Sequence, residues 1–168
     1  MNEEDRISAR AARLESFSIG KTFWMSEREW LATDIGRRTV VAVPVSELPS
    51  ANGVCQPCGI REHAFDEYDH EACDTTRSRR IVLAAAPTLA NSLDLIRDYE
   101  IGRSFFYGFQ RWQCTDVGSQ VIVGIRLDKT DESWYNGPPY AVAEYVFDER
   151  ALEQCDLKPT DSLAPEQG

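Results

Sequence analysis

Residues 19–43 of the chain read IGKTFWMSEREWLATDIGRRTVVAV, and residues 101–125 read IGRSFFYGFQRWQCTDVGSQVIVGI. The wider segments 19–74 and 101–156 align without a gap, and 16 of their 56 aligned pairs are identical. Average residue usage gives only about 3 identities by chance. The chain therefore contains two copies of one sequence unit, and this duplication is the first constraint on its fold.

The order of patterns within each repeat predicts a small α+β unit. Apolar residues at helical spacing predict an N-terminal helix in both repeats: Ile7, Ala11 and Leu14 in the first, Leu89, Leu93 and Ile96 in the second. Aromatic and β-branched segments follow and predict a curled antiparallel sheet or small barrel, with Phe23 and Phe105 in its core. A short closing helix ends each unit. We therefore predict two tandem repeats related by a pseudo-twofold, resembling a homodimer fused into one chain.

These patterns also predict the boundaries of the units. Residues 1–74 form repeat module 1 with its cysteine and histidine loop, 75–82 form a connector, and 83–156 form repeat module 2. Residues 157–168 are polar with two prolines, which predicts a disordered tail. One module of this size supplies only a few kcal/mol of net stability, so we expect the two modules to pack on each other.

A turn motif recurs at the same place in both repeats. It reads Thr33-Asp34-Ile35-Gly36 in the first and Thr115-Asp116-Val117-Gly118 in the second. Aspartate commonly bonds to the backbone of its own turn, and glycine commonly takes the left-handed position of a hairpin loop. The motif therefore predicts a local hairpin turn, and we interpret its threonines and aspartates as structural.

The composition excludes several classes of protein. The 168-residue chain carries a net charge of −10, and its basic residues are scattered apart from Arg77, Arg79 and Arg80. Direct nucleic-acid binding is disfavoured because it requires a basic stripe, whereas an acidic surface suits a basic protein partner.

No apolar run is long enough for a membrane helix, and the polar start lacks a signal sequence. Five cysteines, an odd number, fit a reducing cytoplasm.

One cluster has the residue types of a metal site. It contains Cys55-Gln-Pro-Cys58-Gly59, then His63, then His70-Glu-Ala-Cys73. The first five residues have the form of a zinc knuckle, and the cluster resembles a shortened treble-clef finger over about 19 residues. The resemblance implies a structural zinc held by Cys55, Cys58, His70 and Cys73, with His63 as the alternative ligand.

Two alternatives to a zinc site stay open for this cluster. Cys73 aligns with Cys155, and the second repeat has no knuckle, so packing alone accounts for a cysteine at that position. A redox role for the Cys-x-x-Cys pair is less favoured, because such pairs usually open a helix in a βα context.

Acidic residues recur at matching positions near the end of both repeats, where Glu62 aligns with Glu144. They predict an interaction surface made of Asp66, Glu67, Glu71, Asp148, Glu149 and Glu153, and an exposed aromatic pair, Trp134 and Tyr135, is a further candidate contact. The alternative is structural: helix capping by Asp66 and Asp148 together with a solvated acidic face.

The sequence thus predicts a non-catalytic protein-interaction module of adaptor or inhibitor type with one structural zinc loop. No Ser-His-Asp set, phosphate loop or dinucleotide fingerprint is present in the sequence. Two alternatives remain. One is a zinc-dependent enzyme that uses His63, Glu62 and Glu67 around an open metal, and the other is an acidic DNA mimic that inhibits a nucleic-acid-binding protein.

Overall fold

The computed structural model describes residues 13–51, 54–55, 59–83, 92–127 and 144–157. Within these ranges the chain is a mixed α+β protein with two antiparallel sheets, one of them a curled half-barrel, and few helices. No helix in the described part is long and apolar enough to cross a membrane. Most of the predicted first helix and nearly all of the predicted tail lie outside the described residues.

The first sheet has four strands in the order β1-β2-β3-β6. Its strands are β1 (Thr22–Met25), β2 (Arg28–Ile35), β3 (Val40–Pro44) and β6 (His63–Phe65). Between β3 and β6 the chain forms a 3-10 helix (Val45–Glu47) and a small ladder of β4 (Ser50–Ala51) with β5 (Val54–Cys55). A one-turn helix, α1 (Asp69–Ala72), follows β6.

The second sheet has five strands in the order β10-β9-β8-β7-β11. It follows helix α2 (Ser92–Arg97) and contains β7 (Ser104–Tyr107), β8 (Gln110–Val117), β9 (Ile122–Arg126), β10 (Tyr145–Phe147) and β11 (Cys155–Asp156). Helix α3 (Glu149–Leu152) lies between the last two strands.

Four strands of the first sheet correspond in bounds and order to four strands of the second. The first pair begins at Thr22 and Ser104, and the last pair begins at His63 and Tyr145, so the separation is the same at both ends of the set. The long second strand of each sheet also has a register irregularity at the aligned position, just before Asp34 and just before Asp116. The aligned sequences therefore form strands with the same bounds and with a register irregularity at the same place.

Each sheet has its own aromatic core, as the sequence predicts. Phe23 is 1% exposed and packs edge-on against Phe17 and Phe65, and Phe105 is 0% exposed and packs edge-on against Tyr99 and Phe147. Fully burying such a side chain contributes roughly 1.5–3 kcal/mol. A third, smaller cluster joins the two sheets and consists of Val41, Val121 and Val123, with Ala64 and Val146 against them.

The predicted connector lies along the outer edge of the first sheet. The Thr22 amide donates to the Arg79 carbonyl at 2.9 Å, and the Ile81 amide donates to the Gly20 carbonyl at 2.9 Å. Further along β1, the backbone groups of Trp24 and Asp74 exchange hydrogen bonds. The chain thus covers the edge of β1 before it enters the second half, where β11 covers β7 in the same way.

Candidate functional site

The two halves meet at a contact that we call the seam. Residues 34–39 and β6 form its first side, and residues 116–121 and β10 form its second side. Asp34 is 1% exposed, and its carboxylate accepts hydrogen bonds from the turn of the other half. The donors are the amides of Ser119, Gln120 and Val121, at 3.0, 2.8 and 3.1 Å, and the Ser119 hydroxyl at 2.6 Å. A carboxylate of the first half therefore satisfies the backbone of a turn in the second.

Asp116 makes the reciprocal contact and is 0% exposed. Its carboxylate accepts from the amides of Arg37, Arg38 and Thr39, at 2.9, 3.0 and 2.7 Å, and from the Thr39 hydroxyl at 2.7 Å. Each half therefore supplies the charged acceptor that the turn of its neighbour requires. Charge-assisted hydrogen bonds of this kind are about twice as strong as neutral ones.

This geometry corrects the local interpretation of the turn motif. The aspartates reach mainly the opposite turn, and Gly36 and Gly118 do not have the positive φ of a left-handed residue. Glycine is needed for a different reason: a Cβ on Gly36 would overlap the Asp116 carboxylate, and a Cβ on Gly118 would overlap that of Asp34. The predicted local bond is present, since the Ile35 amide donates to Asp34 and the Val117 amide donates to Asp116, both at 2.9 Å. The prediction of a left-handed glycine was wrong, because the carboxylate of the opposite half is what excludes a Cβ at this position.

A half-buried guanidinium lies beside the seam. Arg38 donates from Nη1 to Glu144 at 2.8 Å and lies 3.3 Å from Glu67 through Nη2. Burial opposes the charge of Arg38, yet its hydrogen bond to Glu144 and the nearby carboxylates raise its pKa above the ordinary value. The side chain of Glu144 is only 8% exposed, so Arg38 neutralises a buried carboxylate across the seam.

A cleft with a volume of about 270 Å³ opens where β6 and β10 approach each other, and we call it the seam cleft. Its walls are formed by Ile60, Arg61, Glu62, His63, Ala64, Glu144, Tyr145, Val146 and Asp148. Three of these residues are acidic and one is an arginine. Burial lowers the pKa of His63, with the charge of Arg61 acting in the same direction, which favours its neutral form. The walls of the cleft are therefore net acidic.

Glu62 differs from its aligned counterpart, Glu144. Its carboxylate accepts a 2.7 Å hydrogen bond from the Thr33 hydroxyl, and among the described residues it has no ion-pair partner. Burial raises the pKa of Glu62, the Thr33 hydrogen bond opposes this, and the charges of Asp148 and Asp34 raise it further. A cation that approached Glu62 from the cleft would relieve this unfavourable environment.

The predicted zinc ligands lie on different elements, and one of them lies outside the described residues. Cys55 lies on β5, Cys58 lies outside the described residues, and Cys73 follows α1. His70 is 2% exposed, and its Nε2 lies 2.9 Å from the Phe65 carbonyl, which can only accept. His70 therefore donates from Nε2 and would have to bind metal through Nδ1.

The alternative ligand and the thiol of Cys73 also have defined surroundings. His63 lies on β6 and packs edge-on against Trp30. Burial raises the pKa of Cys73 to about 12. Within the described part of the chain no cluster of three or more potential ligands has the arrangement of a metal site. The zinc site, with Cys55, Cys58, His70 and Cys73 or His63, stays a prediction.

The acidic residues predicted as an interaction surface fall into two groups. Asp66 is buried and accepts from the Tyr68 and Asp69 amides, and Glu67 is paired with Arg38. The others lie at or near the surface: Glu71, Asp148 and Glu153 are exposed, and Glu149 is half-buried. Asp148 also caps α3 through the Ala151 amide, as the structural alternative predicts. Trp134 and Tyr135 lie outside the described residues.

Three of the residues that define this site were not predicted from the sequence. Arg38 and Gln120 were not among the candidates, and Glu144 was considered only as part of an acidic cluster. Arg38 and Glu144 are 106 positions apart, so no local spacing could pair them. One feature of the sequence indicated this difference between the repeats. Arg38 aligns with Gln120, whereas the acidic positions near it are glutamate in both repeats.

Comparisons with protein-family models, with curated proteins and with solved structures each find no match for this chain.

Proposed function

We propose that the protein is a non-catalytic interaction module that binds a basic segment of a partner protein in the seam cleft. The observation that carries this proposal is the state of Glu62. It is a largely buried carboxylate on the wall of an acidic cleft, and it lacks a cationic partner among the described residues. Its aligned counterpart, Glu144, is neutralised by Arg38. A partner that supplies a cation would complete the site.

The proposal treats the two halves as copies of one unit, related by an approximate twofold axis that passes through the seam. Three observations support this view: the repeated sequence, the equal separation of corresponding strands, and the reciprocal contacts of Asp34 and Asp116. On this view β6 and β10 meet at the axis, and the seam cleft belongs to both copies. A homodimeric ancestor would have had two identical sites there. The fused chain has two corresponding sites that differ in sequence.

The test uses a short glycine–serine peptide with one central arginine or lysine, and the same peptide with neutral citrulline. Each is titrated into the full chain labelled with ¹⁵N. We expect the cationic peptides to shift the amide resonances of residues 60–64 and 144–148, and this binding should weaken as salt screens the charges. The citrulline peptide should shift them little.

Two variants locate the binding. Glu62→Gln should weaken binding of the cationic peptides by about tenfold, because truncating one partner of a close charge pair costs roughly that much or more. Glu100→Gln removes the same charge at an exposed position that does not line the cleft, and it should leave binding unchanged. Equal effects of both variants, or no shift with either cationic peptide, would contradict the proposal.

A structural zinc in the Cys/His loop is a separate proposal. Zinc binding stabilises a fold when the ligands come together only in the folded chain. Native mass spectrometry with and without chelator, combined with thermal melting, tests it. One bound zinc whose removal lowers the melting temperature supports the site, and a chain that carries no zinc under zinc-replete conditions contradicts it.

A further inference from the structure

The two sets of aligned residues at the seam differ in one donor. In the first set Arg38 contacts Glu144 and Glu67, and its Nη1 also donates to the Thr115 carbonyl at 3.3 Å. One guanidinium thus donates hydrogen bonds to two acceptors and forms an ion pair, without a hydrogen bond, with a third. This arrangement shows, within the same chain, that acidic groups at the seam hold a guanidinium.

The second set retains the acceptors and lacks the cation. Glu62 aligns with Glu144, Glu149 with Glu67, and Gln120 with Arg38. The Oε1 atom of Glu149 is buried and has no hydrogen-bond partner within the described part of the chain, and the same is true of Oε2 of its aligned counterpart Glu67, so the two sets differ in the ion pair to Arg38. The backbone amide of Gln120 is fixed by Asp34, and its exposed side chain brings no charge. Of these two carboxylates, Glu62 lines the seam cleft, and it has no ion-pair partner among the described residues.

We propose that the seam cleft recognises the guanidinium of an arginine side chain, in preference to the ammonium of a lysine, and that Gln120 at the position of Arg38 leaves this site to the partner. The inference rests on the proposed function and specifies its ligand. A planar guanidinium donates along several fixed directions and can bridge carboxylates, whereas an ammonium acts as a compact, strongly hydrated charge.

The rest of the cleft fits an arginine. Tyr145 is 44% exposed and lies on the cleft wall, where its ring offers a face on which a guanidinium can stack. Ile60, Ala64 and Val146 provide apolar surface for the methylene stem of the ligand. The acidic groups, Glu62 and Asp148, then lie in the same cleft to receive the charged end.

Comparison of the arginine and lysine peptides tests the specificity. We expect the arginine peptide to bind roughly tenfold more tightly than the lysine peptide, since the planar guanidinium donates along fixed directions and loses less hydration than the compact ammonium. Equal affinities, both reduced by Glu62→Gln, would overturn the arginine preference and leave the proposed function standing. Failure of both peptides to bind would remove the proposed function as well.

A second experiment fills the site from within the chain. Gln120→Arg restores at the second set the residue that Arg38 provides at the first, so it should reduce binding of the arginine peptide by at least roughly tenfold. Gln110→Arg, a matched charge change at an exposed position on β8, should leave binding within about twofold of the unchanged chain. Equal loss in both variants would show a general charge effect and overturn the inference.

Gln120→Lys tests the same position with a second cation, and if Gln120→Arg disturbs folding, Gln120→Lys should still weaken binding of the arginine peptide more than Gln110→Arg does. Gln120→Lys adds the charge without the planar fork, so it should reduce binding less than the arginine variant does. ¹⁵N spectra of each variant report whether the fold is retained. A folded lysine variant that abolishes binding as fully as arginine would contradict a site selective for guanidinium.

Discussion

The two sides of the seam share one set of contacts and differ in another. Both halves retain the aspartate that receives the opposite turn, and both retain the glycine that makes room for it. They differ in charge where Arg38 aligns with Gln120: Glu144 is paired with Arg38, whereas Glu62 has no ion-pair partner in the part of the chain that the structure describes. The shared contacts hold the halves together, whereas the altered ones make the charge environments of Glu144 and Glu62 different.

The largest expected effect comes from breaking a shared contact. Asp116→Asn and Asp34→Asn should each lower the free energy of unfolding by roughly 3–5 kcal/mol, because both carboxylate oxygens accept from donors and an amide would turn one NH₂ toward them. Urea unfolding measures the loss.

Asp98→Asn provides the control for these substitutions, because Asp98 is exposed and its distance to Arg97 is 3.9 Å. We expect it to change stability by less than about 0.5 kcal/mol. Losses below about 1 kcal/mol in both seam variants would show that the reciprocal contacts are not what joins the halves.

A smaller effect is expected when the two sides are made alike. Arg38→Gln gives the first half the neutral residue of the second and leaves Glu144 without its cation. We expect a loss of roughly 1–3 kcal/mol, below the cost of opening a fully buried ion pair because Arg38 is 23% exposed. The companion variant Glu144→Gln in the same background should recover part of the loss, and a double-mutant cycle measures the coupling.

Additive effects of Arg38→Gln and Glu144→Gln would mean that the two side chains do not stabilise each other. The comparison between paired Glu144 and unpaired Glu62 would then lose its energetic basis.

The smallest effect concerns the outer edges of the two sheets. Glu29, half-buried on β2, binds Arg79 of the connector at 2.6 Å, whereas the aligned Arg111 donates to Ser104. The hydrogen bond to Arg79 lowers the pKa of Glu29 against a smaller opposing effect of burial. A lowered folded-state pKa stabilises the protein above the unfolded value of about 4.5, and this stability is lost as pH falls through the folded value.

Glu29→Gln should therefore cost up to about 1 kcal/mol near neutral pH and much less in acid, below both pKa values of Glu29. Unfolding experiments on both chains across this pH range measure the difference. A cost that did not shrink on acidification would assign the effect to packing of the side chain.

The sequence predicted the elements better than the contacts between them. Strand positions, the core places of Phe23 and Phe105, and the Asp148 cap follow from patterns within a few residues. The hydrogen-bond partners of the Asp34 carboxylate depend on how two turns that are distant in sequence pack together. No local sequence pattern contains that information. For the same reason Arg38 could not be matched with Glu144 before the two sheets were placed side by side.

The exchanged aspartates also have a consequence for how the protein comes apart. Neither turn has its charged acceptor until the other half has folded, so the halves should lose structure together in one cooperative transition. A cut within residues 75–82 would sever the chain without removing any of these bonds. The fragments should then remain associated as a noncovalent pair held by the exchanged aspartates.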